Sequence, residues 1–185
     1  AHASHYMRRL CLPLSSALEH DEPRIMNKRL LILLVTFAFP MACLSDETLC
    51  KSDEAIKFSC HIENSENIVS VCSSKNISSE EGYLQYRFGT SKKIDLTFPK
   101  VMKNPTENFW WEEHHPYNGF YRSLSFEIES YVYTIYSADV STAPPSFGVN
   151  VFTKVGGNTV REILCANNPT GDFSSLSEIF PSDGN

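Results

Sequence analysis

Apolar and polar residues alternate with a period of two along most of the chain after residue 46, and aromatic and β-branched residues crowd the same segments. This pattern is typical of half-buried β-strands, in which successive side chains point to opposite faces. It predicts an all-β fold, a single antiparallel β-sandwich or barrel of about eight strands. The predicted strands are AIKFSCHI, IVSVCSS, GYLQYRFG, KIDLTFP, YRSLSFEIE, YVYTIYSA, FGVNVFTKV and TVREILC.

Turn residues separate these runs and predict hairpin connections. Asn64 to Asn67 and the step from Gly89 to Ser91 divide the early strands, and GGN at residues 156–158 divides the last two. The GGN signal is the clearest, because Gly and Asn accept the positive φ angles that tight reverse turns require.

Two segments interrupt the predicted strands. Residues 99–119 contain Pro105 and Pro116, and we expect a surface loop with one short extended piece. After Cys165, Ser175 and Glu178 stand at capping-box spacing, which predicts one short C-terminal helical turn. Leu176 and Phe180 are the residues expected to dock that turn on the sheet.

The first 45 residues predict a leader rather than part of the fold. Residues 1–25 have no hydrophobic period, so we interpret them as upstream residues that do not belong to the native chain. From Met26, Lys28 and Arg29 precede an apolar run of about ten residues that ends at Pro40, which is the pattern of a signal peptide. The run is too short to span a bilayer of about 30 Å. The prediction is a signal peptide over residues 26–45 and one β domain over residues 46–185.

The end of the leader leaves two alternatives for the mature N-terminus. Small residues before Asp46 suit cleavage after Ser45. The sequence PMAC also allows lipidation of Cys43, which would give a lipid anchor without a transmembrane span in the mature chain. Either way, the expected location is periplasmic or secreted.

Four cysteines follow the leader, and an even number in an exported chain predicts two disulfides. They are Cys50, Cys60, Cys72 and Cys165, and three pairings are open. In one of them, Cys50 with Cys60 closes a short loop, and Cys72 with Cys165 ties the first strands to the last. The chain has no CxxC pair, which argues against a zinc site.

The charge of the chain disfavours two classes of partner. Residues 1–45 hold five of the 16 basic and three of the 22 acidic side chains, so the remainder has 11 basic and 19 acidic side chains and a net charge of −8. An acidic domain is repelled by nucleic acid and by anionic lipid. We therefore expect a protein or glycan partner and no nucleic acid.

The octapeptide GYLQYRFG at residues 82–89 predicts a strand with two distinct faces. Leu84, Tyr86 and Phe88 form the expected core face. The expected solvent face, and a candidate binding patch, comprises Tyr83, Gln85 and Arg87. In the later loop, Trp110 and Trp111 are candidates for stacking on a sugar or a peptide.

Several motifs carry the resemblance of this chain to known proteins. The stretch IVSVCSSKNISSEEGYLQYRFG, followed by KIDLTFP and later by FGVNVFTKVGGNTVREILC, resembles a family of small exported bacterial proteins with an SVC…GYLQYRFG pattern. That family has no assigned activity, so the resemblance implies a bacterial, exported, disulfide-containing β domain and transfers no catalytic residue. The stretch SSEEGYLQY is also similar to the Ser/Gly-rich loop before a tyrosine in periplasmic lysozyme inhibitors, which are small disulfide-bonded β-barrels.

Three groupings of polar residues are weak candidates for chemistry. Glu112 and His114 share one face of an extended segment, but a metal ion there needs a third ligand such as His61 from elsewhere. Glu127 and Glu129 lie about 7 Å apart along a strand, whereas glycosidases place their carboxylates on different elements. No GxSxG elbow or phosphate-binding glycine loop is present.

The sequence therefore favours an exported domain of the bacterial envelope that binds or inhibits a protein or glycan and is not an enzyme. It predicts no catalytic residue, no metal site and no cofactor. Two alternatives remain open, a structural envelope lipoprotein tethered through Cys43 and a glycan hydrolase.

Overall fold

The computed structural model describes residues 47–116 and 118–180. The leader, including the predicted signal peptide and Cys43, lies outside the described residues. The chain forms two antiparallel sheets, which confirms the all-β prediction, and the sheets do not close into a barrel. There are nine strands where about eight were predicted: β1 (Ala55–His61), β2 (Ile68–Ser73), β3 (Leu84–Thr90), β4 (Lys93–Phe98), β5 (Trp110–His114), β6 (Gly119–Ile128), β7 (Tyr131–Val140), β8 (Ser146–Thr153) and β9 (Thr159–Leu164).

The two sheets have a simple hairpin topology. Strand order is β1-β2-β3-β4 in the first sheet and β5-β6-β7-β8-β9 in the second. The predicted turns are confirmed: Asn64 has φ 54° between β1 and β2, and Gly156 and Gly157 have φ 85° and 61° between β8 and β9. Gly89 lies at a bulge of β3, where a Cβ would lie 2.3 Å from the Lys93 carbonyl oxygen.

The ninth strand comes from the segment predicted to be a loop with one extended piece. Strand β5 pairs with β6 from Trp110 opposite Ser125 to His114 opposite Tyr121. Just before it, a short 3₁₀ helix begins at the buried Pro105 and ends at Glu107. The extended piece is thus an edge strand of the larger sheet.

The hydrophobic core lies between the two sheets. The Tyr86 ring of β3 lies 4.9 Å from the Phe126 ring of β6, and the Phe98 ring stacks on Phe126 at 4.6 Å. Leu84 and Tyr86 are buried, and Phe88 is partly buried, which confirms the predicted core face of β3. Because residues of both sheets form one buried cluster, the two sheets pack as a sandwich.

The C-terminal segment docks as predicted but is capped differently. A 3₁₀ helix covers Ser174–Glu178, and both Leu176 and Phe180 are buried. The capping box from Ser175 to Glu178 does not form. Instead, the Asp172 carboxylate accepts hydrogen bonds from the Ser175 amide at 3.2 Å and the Ser174 hydroxyl at 2.9 Å.

One corner of the sandwich is closed by the chain that leaves β9. The Glu63 amide donates to the Leu164 carbonyl at 3.0 Å, and the Ala166 amide donates to the His61 carbonyl at 2.8 Å. Further along, Ser59 and Thr170 exchange two backbone hydrogen bonds. The edge of β1 is therefore paired with the chain that follows β9, and the two sheets are joined there.

Two disulfides are present, as predicted, and they join Cys50 to Cys72 and Cys60 to Cys165. The pairing of Cys50 with Cys60 and Cys72 with Cys165 is wrong because of strand geometry. Cys60 lies opposite Val69 and faces the core with it, whereas Cys72, three residues after Val69, faces the other side of the sheet. Cys165 lies beside Cys60 at the corner, out of reach of Cys72.

The disulfides fit a protein of an extracellular or periplasmic compartment. Among the described residues, no helix is both long enough and apolar enough to span a bilayer.

Candidate functional site

The predicted binding face of β3 is covered by another part of the chain. Tyr83, Gln85 and Arg87 share one face, as predicted, but Gln85 and Arg87 are only 5% and 3% exposed. The expectation of a solvent face is wrong because residues 48–54, which we call the strap, lie across it. The Cys50–Cys72 disulfide fixes the strap to β2, and the Leu49 amide donates to the Ser70 hydroxyl at 3.0 Å.

The strap buries a hydrogen-bonded ion pair beneath it. Arg87 donates from its two terminal nitrogens to the two carboxylate oxygens of Glu54, at 2.7 and 2.6 Å. It also donates to the Leu49 carbonyl at 2.7 Å and to the Gln85 side-chain oxygen at 2.9 Å. Removing two charges from water costs free energy, and the bidentate hydrogen bonds and the further partners of Arg87 offset this cost. Arg87 and Gln85 therefore hold the strap in place, and within the folded domain they are not accessible to a ligand.

The surroundings of Glu54 favour its ionised form. Burial alone would raise the pKa of Glu54, but hydrogen bonds from Arg87, the Lys51 amide and the Tyr83 hydroxyl outweigh burial and lower the pKa below its ordinary value. Burial and the hydrogen bond to Glu54 raise the pKa of Tyr83. The strap is thus held by a carboxylate that stays charged into the acid range.

This pair predicts an acid-dependent part of the stability. Because the folded pKa of Glu54 lies below the unfolded one, the stabilisation is complete above about the ordinary value of 4.5 and is lost as the pH falls through the folded value. Urea unfolding at several pH values should show the wild type far more stable than Glu54→Gln at neutral pH. That difference should shrink with acidification; a constant difference down to about pH 3 would contradict the assignment.

A cleft lies between the two sheets at one end of the sandwich. Its volume is about 590 Å³, which is in the range of ligand and peptide side-chain sites. The sheet containing β3 contributes one wall and the turn from β1 to β2 contributes the rim, while β7, β8 and β9 contribute the other wall. The lining residues are Ile62, Glu63, Asn64, Ser65, Asn67, Tyr86, Phe88, Leu96, Tyr131, Tyr133, Val151, Val160, Arg161 and Ile163.

Aromatic side chains run from the floor of the cleft to its mouth. Tyr86 at the floor is 1% exposed, and Tyr131 at the mouth is 40% exposed. Tyr133 lies between them with its ring stacked on Phe126 at 5.2 Å. Burial and the neighbouring Tyr133 raise the pKa of Tyr86. The cleft thus has a buried aromatic floor and a partly exposed aromatic mouth.

Two charged side chains lie on the rim of the cleft. Glu63 follows β1, and Arg161 belongs to β9, where it lies opposite the core residue Val151 and therefore faces the cleft. Within the described ranges, the arginines in ion pairs are Arg87 and Arg122. Arg161 is therefore a cation at the mouth without an acidic partner in residues 47–116 and 118–180.

The two tryptophan candidates lie on opposite faces of β5 and do not form one platform. Trp110 is 38% exposed and lines a hollow of about 380 Å³ with Phe98 and Phe109. Trp111 packs edge-on against Phe173 at 5.0 Å and lines a separate hollow of about 270 Å³. Each of these two hollows has a smaller volume than the cleft between the sheets, and the two hollows are separate from each other.

The acidic and histidine candidates are dispersed by the fold. Glu112 and His114 share the outer face of β5, whereas His61 belongs to β1 of the other sheet, where its Nε2 lies 3.8 Å from a Glu47 carboxylate oxygen. In the described part of the chain, the one cluster with metal-ligating residue types is Cys50, Glu54 and Cys72, and its two sulfurs form a disulfide.

The two strand carboxylates considered for hydrolysis are also separated by the fold. Glu127 lies on β6 and forms an ion pair with Lys154. Glu129 lies beyond the end of β6, in the turn to β7, with φ 53°. The expectation that both lie on one strand is therefore wrong, because the strand ends at Ile128.

No protein-family model, curated protein or solved structure matches this chain. The resemblance to a family of exported bacterial proteins therefore stays a prediction.

Sequence reasoning did not find the cleft. Tyr86 and Phe88 were assigned to the core face of β3, and Tyr131 and Tyr133 were not singled out. The available signal was their place along the strands: Phe88 and Tyr131 lie near the ends, where a sandwich opens to solvent.

Proposed function

We propose that the chain is an exported binding domain of the bacterial envelope that holds a segment of a protein partner in the cleft between its sheets. The observation that carries the proposal is the aromatic cleft itself, with Arg161 at its mouth and no acidic partner for that arginine among the described residues. A concave, mostly apolar site with a few convergent polar groups is the usual form of a binding site.

The ionisable groups of the cleft support binding rather than catalysis. They are one exposed carboxylate, one arginine and three tyrosines. Arginine stays protonated at all ordinary pH values, and the pKa of the buried Tyr86 is raised, so neither is suited to transfer protons near neutral pH. Such groups orient a bound molecule by hydrogen bonds and charge. An inhibitory role follows if the bound segment belongs to the active site of the partner.

The composition of the cleft favours a protein segment over a glycan. Nine of the fourteen lining residues are hydrophobic, so the cleft best matches apolar side chains. The polar side chains other than the tyrosines lie on the turn from β1 to β2 and at Arg161, so a glycan that entered more deeply would meet mainly apolar and tyrosine side chains, and unpaired hydroxyl groups are costly to bury.

The export part of the proposal rests on the predicted signal peptide and on the two disulfides. In the alternative, a structural lipoprotein, the mature chain would begin at a lipidated Cys43. Mass spectrometry of the mature N-terminus distinguishes the two, because a free Asp46 excludes the lipid tether.

Blocking the mouth of the cleft should abolish binding. Val160 lines the cleft and is 54% exposed, so Val160→Trp should cover the mouth without disturbing the core. The matched control is Val155→Trp, because Val155 is 88% exposed in the turn before β9 and lies outside the cleft. Both variants and the wild type are used to select peptides from a displayed random library.

We expect the wild type and Val155→Trp to enrich the same peptides and Val160→Trp to lose them. Peptides that bind all three proteins equally would contradict the cleft as the site. Failure of the wild type to enrich any peptide, together with binding to a glycan array, would replace the protein partner with a glycan.

A further inference from the structure

Strand β9 is an edge of the larger sheet. It pairs with β8, and it has no second neighbour in the part of the chain that the structure describes. Residues 159–162 are all exposed. An edge strand presents backbone N–H and C=O groups that can pair with another chain.

The register of β9 identifies which of its backbone groups are free. The Cys165 amide donates to the Phe147 carbonyl of the neighbouring β8, and the Leu164 carbonyl accepts from Glu63 on the other side. Backbone groups of successive residues alternate between the two sides of a strand, and the pairing with β8 is regular from Leu164 to Arg161. The N–H and C=O of Glu162 therefore point away from β8, in the direction that the Leu164 carbonyl also faces.

This free edge borders the cleft. At Leu164 the edge is occupied, because the Leu164 carbonyl accepts a hydrogen bond from the Glu63 amide. In the part of β9 that precedes Leu164, the strand and the turn from β1 to β2 form opposite rims of the cleft. Val160, Arg161 and Ile163 of β9 all line it. A chain that paired with the free edge would thus lie over the mouth, and its alternate side chains would point inward.

We propose that the partner segment is an extended peptide that adds a strand to the edge of β9 and inserts an apolar side chain between the aromatic residues that line the cleft. This inference rests on the proposed function and specifies its mode of binding. In such strand addition, backbone hydrogen bonds supply affinity and the pockets for alternate side chains supply specificity.

Charge complementarity adds a preference to the sequence of the peptide. Arg161 faces the cleft from the same edge and has no ion-pair partner in the described residues. The domain is acidic as a whole and disfavours acidic side chains elsewhere on a peptide. Arg161 attracts an acidic side chain at the one position of the peptide that lies next to it. The peptide is therefore expected to combine an apolar anchor with a nearby Asp or Glu.

Proline at residue 162 tests the backbone pairing. Proline lacks an N–H, so Glu162→Pro removes the free donor of the edge and leaves the hydrogen bonds to β8 in place. The matched control Glu162→Ala loses the same side chain and keeps the N–H. For a peptide enriched by the wild type, Glu162→Pro should weaken binding about tenfold relative to Glu162→Ala, as expected for one lost hydrogen bond. Thermal unfolding of both variants checks that they fold alike.

Arg161→Glu tests the charge preference. Repeating the selection with this variant should replace the acidic position of the enriched peptides with Lys or Arg. Equal affinity of Glu162→Pro and Glu162→Ala for the peptide would overturn the strand-addition mode, and so would an unchanged sequence of the peptides that Arg161→Glu selects. Even then, loss of peptide binding with Val160→Trp would support the cleft as the binding site. No enriched peptide for the wild type would overturn both proposals.

Discussion

Replacing Arg87 with Met is expected to lower the free energy of unfolding by about 3 to 5 kcal/mol, since the change leaves the Glu54 carboxylate buried without its cation. The side chains of Arg87 and Glu54 are 4% and 1% exposed, so water cannot replace the lost partner. The Leu49 carbonyl and the Gln85 side chain also lose the donor that they share. The strap should loosen around its Cys50–Cys72 anchor in this variant before the sheets separate.

Urea unfolding of Arg87→Met beside Arg122→Met measures this effect with a matched control. Arg122 pairs with Glu113 at 2.8 Å, but the two side chains are 24% and 21% exposed, so its removal should cost about 1 kcal/mol or less. A loss for Arg87→Met no larger than that for Arg122→Met would mean that the strap does not bury the pair.

Removing the Cys60–Cys165 disulfide is the second change with a large expected effect. The bond closes a loop of 105 residues, which in the chain-entropy model stabilises the fold by about 4 to 5 kcal/mol. The Cys50–Cys72 bond closes 22 residues and should contribute about 3 kcal/mol. The longer bond also joins the two sheets at the corner, next to the hydrogen bond from Glu63 to Leu164.

Paired alanine variants at each disulfide test this order by urea unfolding. The variant without Cys60 and Cys165 should be the less stable of the two. It should also expose the amides near Glu63 to hydrogen exchange. The opposite order of stabilities would contradict the assigned role of the longer disulfide. Unchanged hydrogen exchange of the amides near Glu63 would also contradict it.

Much of the fold follows from the sequence because local patterns specify it. Alternation predicted the strands, and GGN at residues 156–158 predicted the last hairpin, since both depend on residues that are close along the chain. Strand β5 was harder to recognise, because its sequence WWEEH carries charges on both faces. Its inward Glu113 is neutralised by Arg122 of the neighbouring strand, a contact that periodicity does not reveal.

The candidate site could not be predicted in the same way because it depends on long-range contacts. Arg87 alternates with core residues and was expected to face solvent, but Glu54 and Leu49, more than 30 residues earlier, cover it. The disulfide pairing stayed open for a related reason, since only the register of β1 with β2 shows that Cys60 and Cys72 face opposite sides. The cleft likewise depends on where the two sheets diverge.

Hydrogen exchange with and without an enriched peptide tests the central claim most directly. The claim is that a partner segment pairs with the edge of β9 over the aromatic cleft. It predicts that the amide of Glu162 becomes protected when the peptide binds, and that residues 110–114 of the opposite edge strand do not change. Protection at β5, or binding that leaves β9 unprotected, would contradict the account.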